Sequence, residues 1–206
     1  MTKPTVFTHE EWVEIYHTPM FAAQLIVAQQ SGKMGKLADL AAAHTVMQNP
    51  TADDAELDKL RHKNAVLAMY SVTAKAKDLT KKKSRDFNLE TLKPATEVDA
   101  PELIQYLVGE VHRRTVDTGV IDSPIKDKEL RSEEAFAALL ARIQKAAAVV
   151  EEKATPEESA AWKAWVMRTA EATAQAAKEK TESGEKVWVS EPEKAMLERI
   201  QQALNA

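Results

Sequence analysis

Cysteine is absent from the 206 residues. That absence alone removes disulfides, thiolate metal sites, thiol nucleophiles and iron–sulfur clusters. Glycine is nearly as scarce, with 5 residues in the whole chain. So few glycines cannot supply the primed turns of a β-sandwich or barrel. Nor do they form the glycine-rich turn after a strand that cradles a nucleotide. Aromatic residues make up only 5%. Neither sign of charge dominates: 28 Lys+Arg face 32 Asp+Glu, a net charge of −4. This balance suits solubility and argues against the basic face of a dedicated nucleic-acid binder. Long apolar runs are missing too. The longest, residues 19–28, is broken by Gln24 and falls far short of the ~20 residues a membrane helix needs. The opening Met1, Thr2, Lys3, Pro4 holds no apolar core of signal-peptide length. The expectation is a soluble cytoplasmic protein with no membrane partner.

Helix formers fill the chain instead. Alanine occurs 34 times, and charged residues reach 29%. Alanine, glutamate, lysine and leucine all favour helix. Of the 8 prolines, Pro19, Pro124 and Pro156 directly follow a serine or threonine at an expected helix start. Thr8 and Glu11 read as a capping box. Thr18 with Pro19 reads as the start of a second helix, ending near Ser31 and Gly32. A third is expected from about Lys33 to Gln48, stopped by Asn49 and Pro50. Thr51 opens a long helix to about Lys82, and residues 84–99 read as a loop. Asp99 with Pro101 starts the next helix, which ends at Thr118 and Gly119. Ser123 and Pro124 begin a short turn. Ser132 caps a helix to Ala154. Thr155, Pro156 and Glu158 form a full capping box whose helix should reach about Thr181, with Gly184 as its stop. Ser190 to Glu193 opens the last helix, to about Ala203.

Periodicity agrees with this punctuation. Phe136, Leu139, Leu140, Ile143, Ala147 and Val150 share one helical face, as do Trp162, Trp165, Val166, Thr169, Ala170 and Thr173. Leu103, Ile104, Leu107, Val108 and Val111 form a third stripe, and Leu197, Ile200 and Leu204 a fourth. Only the run Val187, Trp188, Val189 looks like a strand. The expected fold is all-α: a single multi-helix, bundle-like domain of seven or eight helices, with a possible subdivision at 84–99.

Few constellations point to chemistry. Glu14 and His17 make an E-x-x-H pair on one helical face, the spacing used twice in carboxylate-bridged metal bundles. Here it occurs once, and a polar surface patch beside buried Trp12 and Tyr16 explains it as well. His44, or His62 with Asp58 one turn earlier, would extend such a set. Gly32 and Gly35, with Lys33 and Lys36, make a G-x-x-G loop of the kind that clamps nucleic-acid backbone. A helix–helix turn accounts for it equally, and the strands of that module are missing. Lys75, Lys77, Lys81, Lys82, Lys83 and Arg85 form one basic cluster able to meet phosphates. Basic residues at a helix C-terminus are also favoured by its dipole. No aromatics interleave to stack bases, so a nucleic-acid partner is not expected. Trp162, Trp165 and Trp188 would line an apolar ligand pocket or anchor an interface. Tryptophans at helical spacing are also ordinary core. No nucleophile-elbow or S-x-x-K motif appears, so no catalytic residue is assigned and no cofactor is expected.

Two stretches carry a resemblance. Pro156, Trp162, Trp165, Ala174, Lys178, Gly184, Val189, Leu197, Ile200 and Leu204 form the first, and Glu10, Trp12, Pro19, Gly32 and Gly35 the second. Together, over about half the chain, they resemble an uncharacterised family of bacterial all-helical proteins. The resemblance implies a bacterial-type cytoplasmic protein and carries no activity with it. The leading functional expectation is a non-catalytic interaction module whose partner is itself or another protein. A small-molecule-binding bundle with a tryptophan-lined pocket comes second, and a metal-dependent enzyme using Glu14 and His17 third.

Overall fold

Thr8 starts the first helix as its sequence requires. Its hydroxyl accepts the Glu11 amide at 3.2 Å, and the Glu11 carboxylate accepts the Thr8 amide at 2.7 Å. The helix, α1 (His9–Ala28), does not stop where the next cap was expected. It runs straight through Pro19. Thr18 caps nothing; its hydroxyl donates back to the Glu14 carbonyl at 2.7 Å. The expected second helix is therefore the second half of the first. Proline inside a helix costs about 3 kcal/mol through the lost amide and the ring clash. Burial opposes that cost: every residue from Thr18 to Val27 is buried, so the segment packs on all sides.

The structure is a computed structural model. It describes residues 2–29, 35–53, 55, 89–118, 132–176, 179–180 and 186–206. Within them follow α2 (Gly35–Gln48), α3 (Glu102–Thr118), α4 (Glu133–Lys153), α5 (Pro156–Ala174) and α6 (Glu191–Asn205). A short 3-10 turn, Pro4–Val6, precedes α1. The protein is all-α and bundle-like, with six α-helices among the described residues rather than seven or eight. The expected helix from Thr51 to Lys82 and the turn at Ser123 lie almost wholly outside the described residues.

Caps in the second half match their motifs. The Ser132 hydroxyl accepts the Ala135 amide at 3.2 Å. The Thr155 hydroxyl accepts the Glu158 amide at 3.2 Å, and Glu193 accepts both the amide and the hydroxyl of Ser190 at 2.8 Å. One end differs. α5 stops at Ala174, not near Thr181. Glu179–Lys180 (β1) instead pairs antiparallel with Lys186–Val187 (β2), a two-residue ladder. Tertiary pairing here overrides a helical propensity worth only tenths of a kcal/mol per residue.

The core forms around α1 and α5, which pack along each other. α2 lies on α5, α4 on α1, and α6 closes over α4. Phe21, Leu25 and Ile26 of α1, Leu103 and Leu107 of α3, Ile143 of α4, Trp162 and Val166 of α5 and Ile200 of α6 belong to one buried cluster. The described part of the loop, from Leu89 onward, is fastened to α3. The Ala95 amide donates to the Gln105 carbonyl at 2.9 Å, and the Gln105 side chain donates to the Val98 and Ala100 carbonyls at 3.2 and 3.0 Å. Gly109 permits this approach, since a Cβ there would stand 2.2 Å from the Lys93 carbonyl oxygen.

Candidate functional site

The tryptophans divide into two groups. Trp12, Trp162 and Trp165 are at most 2% exposed, whereas Trp188 is 55% exposed. Trp162 and Trp165 sit on the stripe of α5 that faces the core, as their spacing implied. The Trp165 indole donates to the Val46 carbonyl at 3.4 Å. Trp188 directly follows β2 and lies two residues before the Ser190 cap of α6. The three residues expected to line one pocket are thus split between the interior and the surface. The indole nitrogens of Trp12 and Trp162 are buried and have no acceptor among the described residues.

Glu14 and His17 share a face of α1, but Glu14 points at Arg142 of α4. The guanidinium holds both carboxylate oxygens, at 3.0 and 2.8 Å, and lies 4.1 Å from the centroid of the Phe21 ring. His17 meets Tyr16 edge-on at 5.0 Å and Phe21 at 6.0 Å between ring centroids. A metal at Glu14 would have to displace a bidentate charge-assisted pair. Among the described residues no group of three or more potential ligands converges. Lys33, Lys81, Lys82, Lys83, Arg85, Asp58 and His62 lie outside the described residues, and Lys36 falls in the first turn of α2.

Two titratable groups have surroundings that no motif announced. Glu158 is buried at the start of α5. Its carboxylate accepts the Thr2 amide at 2.9 Å and the Thr2 hydroxyl at 2.5 Å, as well as the Thr155 amide at 3.0 Å. Burial pushes the Glu158 carboxyl up, but the hydrogen bonds from Thr2 and Thr155 outweigh it and hold the group at about 2. The cap of α5 therefore also fastens the chain's first residues. The capping box was legible; its contact with Thr2, 156 positions away, was not.

His44 is the second group. Burial first, and the neighbouring His112 second, bring it down to about 4. The neighbour that the described residues supply is a histidine of α3. The Nε2 atom of His112 lies 3.1 Å from the Gln48 carbonyl at the end of α2, and its Nδ1 lies 3.6 Å from a Glu97 carboxylate oxygen. Local spacing cannot reveal a pair that only the crossing of α2 and α3 creates.

No family model, curated protein or solved structure matches this chain.

Proposed function

We propose that the protein is a non-catalytic helical interaction module that associates with itself through the surface around Trp188. The observation behind this reading is the exposure of Trp188, at 55%, when the other three tryptophans are buried. Tryptophan is enriched at the energetic centres of interfaces, because a large rigid ring gains much from losing water. The polar pair Glu191 and Lys194, 2.6 Å apart at the start of α6, is close in sequence and suits a solvated rim. The cysteine-free composition is compatible with a reducing cytoplasm, where this module would act. Sedimentation velocity over a range of protein concentrations tests the reading. The expected result is a concentration-dependent dimer that Trp188→Ser returns to monomer with its helical circular dichroism intact. A wild-type monomer at every concentration overturns it, as does a Trp188→Ser variant that dimerises equally well.

A small-molecule-binding bundle is the second reading, favoured by the buried indoles of Trp12 and Trp162, which lack acceptors among the described residues. A ligand carbonyl would satisfy such a donor, and so would an ordered water. Native mass spectrometry separates these cases. An added organic mass that Trp162→Phe abolishes supports the ligand, and the bare sequence mass removes it.

A further inference from the structure

His112 projects from the third turn of α3 toward the C-terminal end of α2, where its Nε2 lies 3.1 Å from the Gln48 carbonyl oxygen. Gln48 is the last residue of α2, so this carbonyl has no donor within its own helix and belongs to the negative end of the dipole. On the other edge of the ring, Nδ1 lies 3.6 Å from a Glu97 oxygen, within ion-pair range but long for a hydrogen bond. His44 sits four residues before Gln48, hence one turn back on the same face of α2. A neutral imidazole carries one N–H and can serve one of these acceptors. An imidazolium carries two and can serve both.

We propose that His112 is a proton-operated latch, which on protonation ties the end of α2 to α3 and to Glu97 together. Among the described residues, the other charges nearby do not duplicate it. On α3 itself, Glu110 and Arg113 neutralise each other through bonds of 2.7 and 2.5 Å. From α5, Arg168 donates to the Pro50 carbonyl at 2.6 Å and to that of Ala52, a fixed cation just beyond the end of α2. On α1, the acids Glu11 and Glu14 are engaged by Lys153 and Arg142 of α4. Burial, and second a charge on His112, both disfavour a proton on His44.

Amide hydrogen exchange in the last turn of α2 tests the latch. Rates are corrected for the intrinsic effect of pH and compared at pH 8 and pH 6, while imidazole resonances are followed by NMR. The wild-type protein should gain roughly two- to fivefold protection there at the lower pH, matching a charge–dipole contact. His112→Gln should show no such gain, and Glu97→Gln a smaller one. Equal gains in wild type and His112→Gln overturn the proposal, as does a flat wild-type response. Both substituted side chains are partly exposed, and the Glu97 variant keeps the test open should His112→Gln fold poorly.

Discussion

The described residues of 132–206 and those of 2–118 are held together in different ways. In the C-terminal region each helix is capped by its own neighbours in sequence, and α4 and α6 each bury one stripe. On α4 that stripe is Leu139, Ile143, Ala146, Ala147 and Val150. In the N-terminal region contacts between distant segments decide the structure. α1 is buried all round past Thr18, the loop before α3 rests on Gly109, and α2 ends against His112 of α3. Helices of the first kind carry their boundaries in their sequence. Helices of the second kind take theirs from what surrounds them.

The sharpest way to break this comparison is to substitute equivalent-looking apolar residues in the two regions. Phe21→Ala, on the all-round buried part of α1, should lose about 3–5 kcal/mol in urea denaturation. Leu140→Ala, half-buried on α4, should lose about 1 kcal/mol. Equal losses would show that α1 is no more enclosed than α4. Gly109→Ala comes next. An alanine inside a helix normally gains up to ~1 kcal/mol over glycine. Here the new Cβ meets a backbone oxygen, and a loss of about 2 kcal/mol is expected, read from the thermal midpoint. A stabilised variant would mean that the loop is free to move away.

Acid separates the regions further. His44 has a folded pKa below its unfolded value, so the unfolded chain binds the proton first. Its contribution is complete above about 6.5 and is lost as pH falls toward about 4. The loss is on the order of 3 kcal/mol, and His44→Leu should flatten that limb of a pH series of urea melts. Glu158 acts lower. Its contribution is complete above about 4.5 and is lost as pH falls through about 2. Glu158→Gln should cost on the order of 2 kcal/mol at neutral pH and leave less to lose below pH 4.5. Arg199→Ala is the smallest case. Its partner Glu133 is exposed, and about 0.5 kcal/mol or less should be lost, shrinking further in salt.

The legible parts of the fold follow the same division. Thr8, Ser132 and Thr155 were readable because a cap and the amide it serves lie three residues apart, and Ser190 because its amide and the Glu193 carboxylate that accepts it are as close in sequence. Pro19 misled because proline marks a helix start by local rules alone, and local rules say nothing about enclosure. Trp162 and Trp165 were readable as core from their spacing. The exposure of Trp188 was not, because an isolated aromatic outside a periodic helix has no stripe to place it on.

From the sequence by itself come the helical class, the four capped starts and the apolar stripes of α3 to α6. These depend on interactions within one or two turns of chain. Tertiary structure alone decided that α1 continues through proline and that α5 yields to a two-residue ladder. It also set Arg142 on Glu14, Glu158 on Thr2 and His112 between Gln48 and Glu97. Each of those contacts joins segments far apart in the chain. No local preference encodes them, and only packing the helices brings the partners within reach.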